Sequence, residues 1–201
     1  MSSRLGHPWQ RLVLQARTRL AGHPYWVGYL SGVDTSKRGL HLWVLKKGML
    51  EEVLFGIRKS ECQSFRSARE PFERVARGDV VFLKGSGRPV CGLAMVSKAW
   101  MYEDLTLRDQ ARLSQVLASR ALSLSSGSPS EADTALRTML LTFGHICTFP
   151  IPIQYDKSDP RSWVVLRPPR RPLLAKRYLS DSDLKAISRG RKSRSDLGGE
   201  N

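Results

Sequence analysis

Residues 77–96 read RGDVVFLKGSGRPVCGLAMV, and this stretch decides the fold class. A Gly-Asp pair precedes four strand-forming residues, a short turn rich in Gly follows at residues 84–89, and residues 90–96 are again mostly apolar. Two strand-forming runs joined by a short Gly-rich segment are typical of a β-hairpin. We therefore expect a hairpin over residues 79–96.

Further elements are expected on both sides of this hairpin. Residues 40–45 and 162–166 are rich in strand formers, and residues 57–65 are extended but polar. Apolar residues at helical spacing predict helices at 8–21, 49–56, 105–124 and 132–141, and short strands are expected at 25–30 and 142–153. The pattern as a whole predicts an α+β protein that is mainly β.

The charge of the chain points to an anionic partner. The 201 residues include 33 Lys and Arg against 18 Asp and Glu, which gives a net charge of +15 and a pI near 10.4. Residues 1–40 carry +5 and residues 167–201 carry +6, so the excess is concentrated at the two ends. Nucleic acid is the first candidate partner of such a chain, and an anionic membrane surface is the second.

Cysteine usage indicates a reducing compartment. Cys62, Cys91 and Cys147 are odd in number and far apart, so we expect no zinc site, no cofactor and a cytoplasmic protein. No apolar run is long enough to predict a membrane span. An organelle targeting segment over residues 1–24 is the alternative, because Arg and apolar residues alternate there at helical spacing and the first acid is Asp34.

Five segments resemble, in the same order, the motifs of ASCH domains of the PUA-like superfamily. Residues 56–63, GIRKSECQ, resemble the family's G-x-K-T-x-E-x-R, with Arg58 in place of Lys, Lys59 in place of Thr and Gln63 in place of Arg. Residues 77–84 resemble its G-D strand, and residues 87–92 resemble its G-P-V-x-G turn. The helix junction and closing strand are matched by residues 96–106 and 161–166.

The resemblance implies a β-barrel of five to six strands over residues 40–167, with flanking helices and a cleft beside residues 56–61. It leaves a basic N-terminal extension with a short helix at 1–39, and a basic, partly disordered tail at 168–201. ASCH domains are linked to RNA binding, and some members are ribonucleases or amidohydrolases that act on acetylated cytidine.

The amidohydrolase residues of the family are not matched here. Arg58 occupies the position of the catalytic Lys, and an Arg side chain stays protonated and cannot serve as a general base. In those members the Lys assists a Thr two to three residues further along the chain, together with a Glu from a later strand. Glu61 occupies the position of that Thr, and the strand at residues 90–96 contains no acid. Lys59 and Ser60 are adjacent in an extended segment, so their side chains are expected on opposite faces.

The candidate nucleic-acid contacts fall into four groups. Arg58, Lys59 and Glu61 are expected to line the cleft, where Arg offers a planar fork for phosphate or a base edge and Glu accepts from an exocyclic amine. The remaining candidates are Lys84, Ser86 and Arg88 in the Gly-rich turn, Trp100 and Tyr102 as stacking residues, and Arg170 and Arg171 in the basic tail. The competing interpretations are a local ion pair, a hairpin turn with solvated charges, core aromatic residues and a solubilising tail.

Three functional hypotheses follow. The first is a nucleic-acid-binding module, RNA before DNA, that holds an unpaired or modified nucleotide in the cleft while the basic ends contact the backbone. The second is a rearranged ASCH-type hydrolase with Lys59, Lys84 and Glu61 as suspects. The third is a subunit of a larger ribonucleoprotein, in which protein partners join the RNA.

Overall fold

The computed structural model describes residues 7–32, 37–65, 74–118, 136–170 and 178–188. Its helices are α1 (Pro8–Arg19), α2 (Pro24–Ser31), α3 (Met49–Leu54), α4 (Leu107–Ala118) and α5 (Asp181–Ser188). Its strands are β1 (Leu40–Leu45), β2 (Ser60–Phe65), β3 (Val80–Gly85), β4 (Val90–Leu105), β5 (Leu136–Ile153) and β6 (Trp163–Arg167).

The six strands form one mixed sheet in the order β2-β5-β4-β3-β1-β6. β1 pairs with β3 in parallel, and the other neighbouring pairs are antiparallel. The expected α+β class, mainly β with flanking helices, is confirmed. The expected barrel is not closed: β2 and β6 are the two edges, and the hydrogen-bonded ladder of the described strands ends at each of them.

The open sheet is nevertheless strongly curled. The rings of Trp43 on β1 and Phe143 on β5 lie 5.3 Å apart between centroids, although β3 and β4 separate their strands. Three strand spacings in a flat sheet amount to about 14 Å, and side chains stand roughly perpendicular to the sheet. The sheet must therefore bend so that these two side chains meet inside it.

Alternation along the strands separates two apolar layers. Leu40 and Leu42 of β1, with Phe82 of β3, pack against α1 and α2 on the convex side. Trp43 and Leu83, one position along each strand, belong to the concave side with Trp163 and α3. The predicted hairpin is confirmed by the β3–β4 pairing, and Trp43 and Trp163 are core residues as expected.

One buried carboxylate fixes the start of both β1 and β3. Asp79 accepts hydrogen bonds from the backbone N–H groups of Gly39 and Ala76, at 2.6 and 2.7 Å. The Nε2 atom of His41 lies 3.0 Å from the same carboxylate. The Gly-Asp pair identified in the sequence thus joins two parallel strands through its side chain.

Residues 7–32 are part of the packed fold. The predicted helix after Pro8 is α1, and its Leu12, Val13 and Ala16 are buried in the convex layer. The expected strand at 25–30 is wrong, because these residues form α2, which begins at Pro24 and buries Trp26 and Leu30 one turn apart. The domain boundary at residue 40 remains a prediction, although α1 and α2 share a core with β1 and β3.

The C-terminal half also differs from expectation. The helix expected at 132–141 is wrong, because residues 136–141 belong to β5 and pair with β2 on one side and β4 on the other. Part of the expected tail is helix α5, capped by Ser180, whose Oγ accepts from the Asp183 N–H and donates to its carboxylate. Ile187 and Leu179 pack against Leu113 of α4. Residues 171–177 and 189–201 of the tail lie outside the described residues.

Candidate nucleic-acid interface

Helix α3 gathers several of the predicted binding residues at one end of the sheet. It follows the end of β1 and precedes β2, and two of its acids hold cations from different segments. Glu52 lies 3.2 Å from Nε of Arg58, and Glu51 lies 3.3 Å from Nη1 of Arg88 in the β3–β4 turn. We call this region the α3 rim, defined by Lys46, Lys47, Phe55, Ile57, Arg58, Lys59, Lys84 and Arg88.

Glu51 lies in a positively charged environment at the rim. Its carboxylate accepts the backbone N–H of Gly48 at 2.8 Å, which caps the first turn of α3. Backbone hydrogen bonds from Glu51 itself and from Gly48 lower the pKa of this carboxyl, and the cations Arg88 and Lys47 lower it further. The rim carries six cationic side chains against the three carboxylates of Glu51, Glu52 and Glu61, so it keeps a positive balance.

Arg58 and Glu61 form an ion pair at the base of the rim. Nη1 of Arg58 lies 3.0 Å from Oε2 of Glu61, whose side chain is 1% exposed, and Arg58 itself is mostly buried. The second carboxylate, Glu52, holds Nε of the same guanidinium. The ion-pair interpretation from the sequence therefore describes the geometry of Arg58 and Glu61, and both side chains are committed to the protein's own contacts.

Lys59 and Ser60 point in opposite directions, as expected. The carbonyl of Lys59 accepts the backbone N–H of Phe143 at 2.7 Å, which ties the start of β2 to β5. The Lys59 side chain is exposed, whereas Ser60 is buried. Lys59 thus presents its charge to solvent, and it has no geometry for activating Ser60.

The Gly-rich turn is stabilised from within. Nζ of Lys84 donates to the carbonyl of Arg88, and the backbone N–H groups of Ser86 and Arg88 donate to Leu45 and Gly85 at 3.1 and 3.0 Å. These two backbone N–H groups are therefore already bonded within the protein. Lys84 and Arg88 contribute charge to the rim, and the exposed Ser86 side chain lies beside them.

Trp100 and Tyr102, the expected stacking residues, lie on the opposite face of the sheet from Glu61. In the strand register Glu61 is opposite Leu141, which is opposite Ala99, whereas Leu140 is opposite Trp100. Residues directly opposite one another share a face, and consecutive residues alternate. Tyr102 is fully buried against Leu105 and Leu140, and Trp100 packs beside it.

The most exposed aromatic side chain of the rim was not among the candidates. Phe55 is 80% exposed and Ile57 is 76% exposed, and they flank Gly56, whose φ of +71° allows the turn out of α3. Arg58 and Lys59 come directly after this segment. The sequence does contain a signal, because an apolar pair surrounds a helix-ending Gly and two cations follow. The resemblance to the G-x-K segment accounts only for the Gly and the residues after it.

The last predicted group is only partly described. The backbone N–H of Arg170 donates to the carbonyl of Lys37 at 3.0 Å, and the Arg170 side chain is exposed. Arg171 lies outside the described residues. Arg170 is at the opposite end of β1 from the rim, because β6 runs antiparallel to β1 with Arg167 opposite Leu40.

The hydrolase suspects are not brought together by any of these contacts. Glu61 is held by Arg58, and Lys84 by the turn carbonyl. Among the described residues there is no cluster of three His, Cys, Asp or Glu side chains suited to a metal ion. Burial raises the pKa of the Cys91 and Cys147 thiols, and it raises that of Cys62 to about 12, opposite to the low pKa of a nucleophilic thiolate.

In the described part of the chain, no helix is both long enough and apolar enough to span a membrane.

Comparisons with known proteins give structural likeness only. No protein-family model matches the chain, and no curated protein does. The crystal structure of ASCH from Zymomonas mobilis is similar at 13% sequence identity and a TM-score of 0.45, over 64% of this chain and 87% of that one. Two mutant forms of the Zymomonas mobilis protein give TM-scores of 0.44 at 10% and 11% identity, each over 91% of their own chain and 66% and 65% of this one.

Proposed function

We propose that this protein is a nucleic-acid-binding module that prefers RNA, and that the α3 rim holds an unpaired base. The observation that carries the proposal is the exposed pair Phe55 and Ile57 beside the cations of the rim. Base–aromatic stacking stabilises single-strand binding by about 1–3 kcal/mol per base, and the neighbouring cations attract the phosphates. An unpaired base presents the face that such stacking needs.

The roles proposed for individual residues follow from their exposure. Phe55 is the stacking residue, and Lys59 is the nearest exposed cation in sequence. Arg58 and Glu61 have a structural role, because their ion pair stabilises the turn from α3 into β2. Lys84 and Arg88 add positive potential from the β3–β4 turn. In this proposal Phe55 contacts the nucleotide base, a role that the first hypothesis gave to Arg58 and Glu61.

The test compares Phe55→Ala with Tyr178→Ala in the full-length protein. Both variants remove an aromatic ring that is about 80% exposed, but Tyr178 lies just before α5 and outside the rim. Affinity is measured by fluorescence anisotropy for single- and double-stranded RNA and DNA at two salt concentrations. We expect Phe55→Ala to weaken single-stranded RNA binding by about tenfold or more, and Phe55→Trp to retain it, since the ring and not the residue type supplies the stacking.

Each other outcome is also informative. Equal losses in Phe55→Ala and Tyr178→Ala would contradict a specific role for the rim. Full RNA affinity in Phe55→Ala would contradict base stacking, and the apolar pair would then be examined as a protein contact within a ribonucleoprotein. RNA hydrolysis that is lost in Lys59→Ala would favour the hydrolase hypothesis instead.

A further inference from the structure

A second cationic surface is built where the N-terminal and C-terminal basic segments meet. The carbonyl of Lys37 accepts from the Arg170 N–H at 3.0 Å, and the carbonyl of Arg38 accepts from Nη2 of Arg167 at 2.9 Å. These bonds place two basic segments that are distant in sequence, residues 37–38 and 167–170, side by side at the β1–β6 edge of the sheet. We call this the junction surface, defined by Trp9, Tyr29, Lys37, Arg38, Arg167 and Arg170.

Two aromatic rings hold the guanidinium groups of this surface in place. The guanidinium carbon of Arg38 lies 3.8 Å from the centre of the Tyr29 ring, and that of Arg167 lies 4.8 Å from the Trp9 ring. Cation–π contacts orient an Arg side chain without removing its charge. The side chains of Arg38 and Arg167 are therefore already partly ordered before a phosphate binds, which lowers the entropy cost of that contact.

The described segments around the junction surface carry a positive charge excess. The described segments that build this side of the protein, residues 7–32, 37–38 and 164–170, contain seven Lys and Arg residues and no Asp or Glu. Arg11, Arg19, Lys37 and Arg170 among them are exposed. A rigid surface of one charge type attracts a polyanion, and regularly spaced phosphates match several cations at once.

We infer that the junction surface binds the phosphodiester backbone of the same nucleic acid whose base is held at the α3 rim. This inference rests on the proposed function, and it adds a second, sequence-independent contact at the other end of β1. The chemistry of the surface favours phosphate contacts, because Arg and Lys predominate and Trp9 and Tyr29 are covered by guanidinium groups.

The experiment uses full-length protein and a fluorescein-labelled 12-nucleotide uridine RNA. The variant Lys37→Gln with Arg170→Gln removes two exposed cations and leaves the ring-stacked Arg38 and Arg167 intact. The control, Arg108→Gln with Lys185→Gln, removes two exposed cations from α4 and α5, so the net charge changes equally. We expect the junction variant to lose about five- to tenfold in affinity at moderate salt, and its slope of log affinity against log salt to decrease by about 1.4 for the two lost phosphate contacts, while the control changes little.

Comparison with Phe55→Ala separates this inference from the proposed function. Loss in Phe55→Ala with full affinity in the junction variant overturns the inference and leaves the rim proposal intact. Loss in the junction variant with full affinity in Phe55→Ala supports the surface and contradicts the rim. Equal losses in the junction and control variants indicate diffuse charge attraction and overturn the inference. Binding of phosphatidylserine vesicles without binding of the RNA would also overturn it, since the surface would then serve a membrane.

Discussion

The backbone N–H of Gly39 donates a 2.6 Å hydrogen bond to Asp79, and the same carboxylate occupies the space where a Gly39 side chain would lie. A Cβ atom at Gly39 would come within 2.5 Å of Oδ2 of Asp79 and within 2.8 Å of Nε2 of His41. This contact joins the starts of β1 and β3, so the absence of a side chain at residue 39 is a requirement of the parallel pairing.

Gly39→Ala is therefore expected to destabilise the protein by about 1–3 kcal/mol, the usual range for overpacking a tightly filled site. The matched control is Gly28→Ala in α2, where a Cβ would meet nothing within 4 Å. Because Ala is the better helix former, that change is expected to stabilise by about 0.5–1 kcal/mol. Urea denaturation of both variants tests the pair, and an unchanged midpoint for Gly39→Ala would contradict the close approach.

Arg58→Gln is expected to reduce stability more than it reduces RNA affinity. Removing the guanidinium leaves the Glu61 carboxylate buried without its 3.0 Å partner, which costs about 3 kcal/mol in comparable buried pairs. The double variant Arg58→Gln with Glu61→Gln removes the buried charge, so it should recover much of that loss. Denaturation midpoints and RNA affinities are measured together. A large loss of affinity at unchanged stability would return Arg58 to the role of a direct reader.

Local patterns in the sequence were sufficient for the hairpin and for α3. The run at residues 80–83 and the turn after it determine β3 and β4 through nearest neighbours in the chain, so the prediction needed no distant partner. The Gly-Asp pair was recognised as a motif, but its contacts with Gly39 and His41 join residues about 40 positions apart. Those contacts depend on the sheet order, which the sequence pattern does not contain.

The errors at the candidate site have the same origin. Trp100 and Tyr102 are stacking candidates in the sequence, but β4 continues to Leu105, and its register with β5 places them on the face opposite Glu61. Residues 136–141 have helical spacing of apolar residues, and pairing with strands on both sides overrides that preference. Phe55 was missed because exposure of an apolar residue is visible only after the fold is known.

The two proposed contact surfaces predict a dependence on oligonucleotide length. The rim follows the end of β1 and the junction surface precedes its start, and the five steps along this strand amount to about 17 Å. A stacked strand advances about 3.4 Å per nucleotide, so about five nucleotides are needed to reach both surfaces. Phe55→Ala should weaken both a 3-nucleotide and a 12-nucleotide uridine RNA, whereas Lys37→Gln with Arg170→Gln should weaken only the longer one. Equal effects of the junction variant on both lengths would contradict two separate surfaces.

The buried thiol of Cys62 predicts a loss of stability at alkaline pH. Burial raises its pKa to about 12, and the nearby Glu61 carboxylate adds to the shift, whereas an unfolded chain has a thiol pKa close to 9. Between these two values the unfolded state releases the thiol proton and the folded state keeps it, so the free energy of unfolding falls as the pH rises. The contribution of one such group reaches about 1.4 kcal/mol per pH unit within this window and disappears below it. Cys62→Ala removes the group, so the difference in unfolding free energy between wild type and variant should be constant from pH 7 to 8.5 and should shift in favour of the variant above pH 9. A difference that stays constant up to pH 11 would mean that the Cys62 thiol ionises in the folded protein as readily as in the unfolded chain.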